Sequence, residues 1–115
     1  MNAETSCIFC KITAGQIPSK KVYEDDELLA FHDIHPWAPV HVLVIPKAHI
    51  AMHSDVTAEH APMLGRMLAL APRLMKELGV TNGFRTQINT GPDGRQEVHH
   101  LHMHVMGGPR PWLKG

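Results

Sequence analysis

The sequence predicts an α+β fold: an antiparallel five-stranded sheet with one long and one short helix. Three observations support this. Five short runs are rich in β-branched and apolar residues. Only the segment 57–79 shows sustained helical periodicity. The runs are separated by tight-turn residues rather than by helices, so the βαβ alternation of a doubly wound sheet is missing. There is also no G-x-G-x-x-G after a strand and no Walker-type loop, so any phosphate must be held by other means.

The elements follow in order. Residues 7–14 read as a short helix ended at Gly15, with Ile17-Pro18 beyond it. Residues 20–23 and 28–33 read as two strands of a hairpin across the polar turn Glu24-Asp25-Asp26-Glu27. Pro36-Trp37-Ala38-Pro39 is a loop, and residues 40–45 form a third strand stopped by Pro46. Thr57 is the expected N-cap of the long helix and Gly79 its C′ residue. Between them Leu64, Met67, Leu68, Ala71, Leu74, Met75 and Leu78 recur at spacings of three and four, a core-facing stripe, with Pro72 expected to kink it. Residues 84–89 are a fourth strand, Gly91-Pro92-Asp93-Gly94 a turn, and residues 98–106 a fifth strand closed by Gly107-Gly108-Pro109.

Composition narrows the function. At 115 residues the chain fits one domain over 1–115, with 109–115 a short tail. Apolar residues at 43% against 19% charged read as globular rather than disordered. Eleven basic and eleven acidic residues cancel, which argues against a nucleic-acid partner. No apolar run approaches the ~20 residues of a membrane span. Residues 1–6 lack the basic start and apolar stretch of a signal peptide, so a cytoplasmic protein is expected. The outlier is histidine, present ten times.

Four of these histidines fall in His99-His100-Leu101-His102-Met103-His104-Val105-Met106. On a strand, alternate side chains share a face about 6.6 Å apart. His100, His102 and His104 would then line one face, while Leu101, Met103 and Val105 bury against the long helix. Three titratable groups in register suit either of two chemistries. One is a metal site, since His-x-His on a strand is a zinc-ligand geometry. The other is nucleophilic catalysis, in which one neutral imidazole attacks while its neighbours orient it.

This segment resembles the His-φ-His-φ-His-φ-φ signature of the histidine triad (HIT) nucleotide-binding family, φ being apolar. The likeness extends through Cys7-Ile8-Phe9-Cys10-Lys11-Ile12, Glu24-Asp25-Asp26, Ala30-Phe31-His32-Asp33-Ile34 and Ala38 to Lys47. It continues in Gly83-Phe84-Arg85, Asn89 and Gln96-Glu97-Val98. It is nearest the purine nucleoside phosphoramidase-like branch. The resemblance implies a HIT-like fold, a two-fold homodimer and hydrolysis of purine nucleoside monophosphate conjugates that needs no cofactor for its chemistry. It assigns His102 as the nucleophile on the α-phosphorus, with Nδ1 holding its proton against a main-chain carbonyl so that Nε2 carries the lone pair. It assigns His104, Asn89 and the backbone near Val98 to the phosphate, and Asp33 to the ribose hydroxyls. Ile8, Phe9, Ile12, Phe31 and Ile34 would form the slot for the base, and His41 and His100 a polar relay behind the nucleophile.

One position departs from the pattern. Many members resembling this branch carry serine where this chain has Glu97. A protonated Glu97 would donate to a departing amine; a solvent-facing Glu97 would do nothing. The Cys7-x-x-Cys10 pair is half of a tetrahedral zinc set. Some relatives complete that set with the histidine after the Pro-Lys step and the first triad histidine, here His49 and His100, which implies a structural zinc. Otherwise these are two free thiols on a short helix. The tail around Trp112 is expected near the active site, its own or a partner's. Three other readings stay open at this point: a dinucleoside polyphosphate hydrolase, a metal-dependent hydrolase and a non-catalytic nucleotide-binding module.

Overall fold

The computed structural model describes residues 6–113. Helix α1 (Ile8–Thr13) leads into strands β1 (Lys21–Glu24), β2 (Leu28–His32) and β3 (Val40–Pro46). Helix α2 (Ala61–Glu77) follows, then strands β4 (Phe84–Gln87) and β5 (Met103–Gly107). The five strands form one antiparallel sheet in the order β1-β2-β3-β5-β4. The expected fold class is therefore the observed one.

Strand alternation divides the core into two layers. Leu28 and Ala30 of β2, Val42 and Val44 of β3, and Met103 and Val105 of β5 pack with α2. Leu29, Phe31, Leu43 and Ile45 point the other way and pack with Phe9 and Ile12 of α1. The sheet is thus covered on both faces, which is why β2 and β3 are mostly apolar along their length rather than alternating. The β1–β2 hairpin closes where the Asp25 carboxylate accepts from the Glu27 and Leu28 backbone N–H groups, each at 2.8 Å.

Helix α2 differs from its sequence reading in phase and start. Thr57 caps a single 3-10 turn, Ala58–His60, in reciprocal bonding with His60, and the α-helix begins only at Ala61. The buried stripe is Met63, Met67, Leu70, Ala71, Leu74 and Met75. Leu68 is 56% exposed rather than core-facing. Helix α2 runs through Pro72. The carbonyl left without a partner there belongs to Leu68, four residues earlier, which explains why the exposed face tolerates the proline. Gly79 terminates α2 in the left-handed region (φ 83), with Val80 N–H returning to the Met75 carbonyl at 2.8 Å. No helix among the described residues is long and apolar enough to cross a membrane.

The fifth strand is shorter than expected. It starts at Met103, because residues 98–102 spend their backbone groups elsewhere. His100 N–H donates to the Val98 carbonyl (2.9 Å) and Leu101 N–H to the Ile50 carbonyl (2.6 Å). The alternation survives outside the ladder, and Leu101 is buried with Met103 and Val105 in the α2 layer.

Candidate active site

The α1 side of the sheet, around the ends of β2 and β5, holds a cleft of about 280 Å³. Its walls include Ile8, Phe9, Ile12, Phe31, Asp33, Ile34, Asn89, Glu97, Val98, His102 and His104. Every residue the sequence assigned to nucleotide contact is therefore in one cleft. Phe9, Ile12 and Phe31 are buried at its floor, whereas Ile8 and Ile34 are exposed on its rim, Ile34 at 84%. Exposed isoleucines beside a cleft are surface that a flat apolar ligand would cover.

The histidines fall into two groups with different neighbours. His102 is 5% exposed and opens onto the cleft. Its Nδ1 lies 2.7 Å from the His100 carbonyl, which only accepts, so Nδ1 carries the proton and Nε2 the lone pair. Phe9 meets the His102 ring edge to face at 5.3 Å. Burial holds the His102 pKa below its ordinary value, against a smaller upward pull from the His100 carbonyl, Asp33 and Glu97. The imidazole is thus neutral near pH 7, the state a nucleophile requires.

A second chain of bonds fixes His104. The Trp37 backbone N–H donates to His41 Nδ1 at 3.0 Å, so the neutral His41 proton sits on Nε2. That Nε2–H donates to His104 Nδ1 at 2.8 Å, which leaves His104 with its proton on Nε2. His104 is consequently a donor where His102 is an acceptor. Trp37 stacks on the His104 ring at 5.0 Å and 18°. Burial lowers the His104 pKa to about 4, helped by the neighbouring His102 and His41. His41 is lowered by burial too, with Asp33 pulling back.

His41 and His100 are not joined as a relay. His41 bonds to His104, whereas His100 lies on the far side of His102 with Cys7, Cys10 and His49. His100 Nε2–H donates to the Pro46 carbonyl at 2.7 Å, so its Nδ1 lone pair faces Cys7 Sγ at 3.2 Å and Cys10 Sγ at 3.5 Å. Cys10 Sγ also lies 3.3 Å from His49 Nδ1. The four ligand atoms are all within 4.8 Å of one another. Two thiols and two imidazoles, one of them oriented by a backbone carbonyl, match the donor chemistry of structural zinc. Asp33, His41 and His104 also lie within that spacing, but both ring nitrogens of His41 are already engaged in hydrogen bonds. This second cluster is a hydrogen-bond chain rather than a ligand set.

The remaining polar groups are placed by loops. Asp33 Oδ1 accepts the His35 N–H at 2.8 Å, leaving Oδ2 3.6 Å from His41 Nε2 and directed at the cleft wall. Asn89 Oδ1 accepts from Gln87 Nε2 at 2.9 Å, so the Asn89 amide N–H groups remain as donors. The buried Gln96 ties the 91–98 loop together: it accepts from Gly91 N–H and donates to the Ala51 and Val98 carbonyls. The sequence reading did not assign Trp37, Gln96 or Arg95, although Trp37 and Arg95 line the cleft. An indole between two prolines was the one available signal, and it read as a loop. Trp112 does not line the cleft. Its indole N–H donates to the Gly108 carbonyl and its ring packs under Arg85, while Leu113 N–H bonds the Trp37 carbonyl at 2.7 Å.

A family model described as scavenger mRNA decapping enzyme C-term binding matches residues 6–113. A solved histidine triad protein from Clostridium difficile superposes with a TM-score of 0.89 at 44% identity, covering 96% of both chains. The chain belongs to the histidine triad family. Its relatives include protein HitA of Neisseria gonorrhoeae, 52% identical over 90% of this chain and 97% of HitA. The purine nucleoside phosphoramidase of Escherichia coli K12 is 47% identical over 88% of this chain and 86% of its own length.

Proposed function

We propose that the protein hydrolyses purine nucleoside phosphoramidates, or related nucleotidyl conjugates, through a nucleotidyl-histidine intermediate on His102. The observation that carries the proposal is the pairing of opposite tautomers in one cleft. His102 offers a lone pair at Nε2, and His104, next on the same face, offers a proton at Nε2. An attacking group and an oxyanion donor are thus set side by side without either being charged.

In this mechanism Nε2 of His102 attacks the α-phosphorus as the P–N bond breaks. The departing amine takes a proton, which Glu97 supplies from the cleft wall or water supplies from solvent. Water then cleaves the nucleotidyl-imidazole, which releases the nucleoside monophosphate and restores His102. His104 Nε2–H and the Asn89 amide hold the phosphoryl oxygens, with the backbone near Val98. Asp33 accepts the ribose hydroxyls, and Ile8, Phe9, Ile12, Phe31 and Ile34 enclose the base. Positioning and charge stabilisation supply most of the rate, because phosphoryl transfer leaves side chains little covalent work. Cys7, Cys10, His49 and His100 would hold a structural zinc, outside the reacting atoms. The working unit is a homodimer in this reading.

The test is turnover of an adenosine phosphoramidate bearing a fluorescent amine, by metal-stripped wild type and by His102→Asn. Wild type should turn over, while His102→Asn should lose at least about 10³-fold in kcat and retain nucleotide binding. A His102→Asn protein that keeps the wild-type rate would falsify the mechanism. Tight nucleotide binding without wild-type turnover of any conjugate would make the protein a binding module.

A further inference from the structure

Among the described residues, Arg95 is the one Lys or Arg side chain in the cleft wall, and three observations set it apart. Its backbone is the only non-glycine at positive φ among the described residues, at 59°, in the left-handed region that L side chains seldom adopt. The turn that imposes this is held from both sides. Arg95 N–H donates to the Pro92 carbonyl, Gln96 N–H donates to the Gly91 carbonyl, and the buried Gln96 side chain makes three further bonds. Gly94 packs closely in the same turn, where a Cβ would sit 2.3 Å from the Thr90 carbonyl oxygen. Finally, the guanidinium has no hydrogen bond or ion pair with any described residue. A hydrogen-bonded loop therefore holds out at the cleft a cation with no partner among the described residues, two residues before Glu97, in a conformation glycine would suit better. Strain kept at a cleft wall points to function when the strained residue also presents chemistry.

The position of the charge in the cleft limits what it can meet. The base slot is apolar and lies toward α1, and Asp33 stands at the end of β2. Arg95 belongs instead to the loop that carries Glu97 and Val98 toward His102. On the proposed reaction path, that loop flanks the group that leaves the phosphorus. We infer that Arg95 selects nucleotidyl conjugates whose leaving group carries an oxyanion, a carboxylate or a phosphate, over conjugates with neutral leaving groups. The inference rests on the reading of His102 as a nucleophile. Guanidinium suits both oxyanions through paired N–H donors, and an exposed rim site gives a modest, salt-sensitive preference.

The experiment measures kcat/KM for adenosine phosphoramidates of ethanolamine, glycine and phosphoethanolamine, with wild type, Arg95→Gln and Arg95→Lys. Wild type should prefer the glycine or the phosphoethanolamine conjugate over ethanolamine. Arg95→Gln should lose roughly three- to tenfold on the anionic conjugates and stay within twofold on ethanolamine. Arg95→Lys should recover part of the loss, and added salt should shrink the wild-type preference. Glycine rescued without phosphoethanolamine, or the reverse, would identify which oxyanion is recognised. Equal loss on all three conjugates, or no loss on any, overturns the inference while ethanolamine turnover keeps the hydrolase reading intact. Failure of wild type on all three conjugates would count against both.

Discussion

His102 and His104 are two residues apart on one face yet carry opposite hydrogen-bonding roles, and the difference comes from what stands behind each ring. A carbonyl behind His102 demands a proton on Nδ1, and an imidazole nitrogen behind His104 forbids one. The alternating pattern showed that the rings share a face, and the role assigned to His102 by resemblance already required a carbonyl partner. The partner of His104 was not legible, because it depends on the Trp37 N–H sixty-odd residues away in sequence. The buried pair His41 and His104 has a consequence for pH. Both are held below the ordinary value, His104 to about 4. An unfolded histidine titrates near about 6.5, so below that pH the unfolded chain binds protons that the folded chain refuses. Stability should fall as pH drops from about 6.5 toward 4, and above about 6.5 these groups should add no slope. Urea unfolding at pH 7 and pH 5 checks this. His104→Asn should remove part of the slope, on the order of 1–3 kcal/mol over that window. A slope unaltered in His104→Asn would mean that other groups set the acid limit.

At the scale of elements, the sequence was most legible where periodicity was strict and least where a local bond replaced a ladder bond. The β1–β2 hairpin, β3, and the burial of Leu101, Met103 and Val105 follow directly from apolar alternation and turn residues. The span 98–102 looked like strand because it alternates, but its N–H groups serve Val98 and Ile50. In α2 the repeat of threes and fours fits more than one stripe, and only packing against β3 and β5 chooses Met63 and Leu70 over Leu68. The Cys7/Cys10/His49/His100 cluster works at this scale too. It joins α1 to the segment after β3 and the segment before β5, two pieces already tied to each other where Leu101 N–H donates to the Ile50 carbonyl. Metal bound there would stabilise the folded state by mass action. Zinc added to chelator-treated protein should raise the Tm by at least about 5 °C. Cys10→Ser should lose most of that gain. An equal zinc response in Cys10→Ser would place the metal elsewhere, and a flat response in wild type would leave two reduced thiols as the state of the cluster.

At the scale of the whole molecule, the sheet is covered on both faces but not at both ends. Among the described residues strand β4 pairs only with β5, so one edge of Phe84–Gln87 keeps its backbone donors and acceptors unpaired within the sheet. Phe84 on this edge is 42% exposed. An antiparallel edge meeting its own copy is self-complementary and generates a two-fold axis, which is the least demanding closed assembly available to one chain. The homodimer implied by the family resemblance would then form by β4 pairing with the partner's β4, with the two Phe84 side chains shielded at the join. Sedimentation equilibrium at micromolar concentration should give twice the chain mass for wild type. Phe84→Lys, which puts like charges across the axis, should weaken the dimer at least about tenfold and yield monomer in the same range. A circular dichroism spectrum matching wild type would show that the variant is folded. Leu68→Lys, on the exposed face of α2, separates the two apolar patches. Dissociation by Leu68→Lys with a stable Phe84→Lys dimer would move the interface to the helix. Monomeric wild type at high concentration would remove the dimer from the account and leave the cleft, whose walls come from a single chain, to work alone.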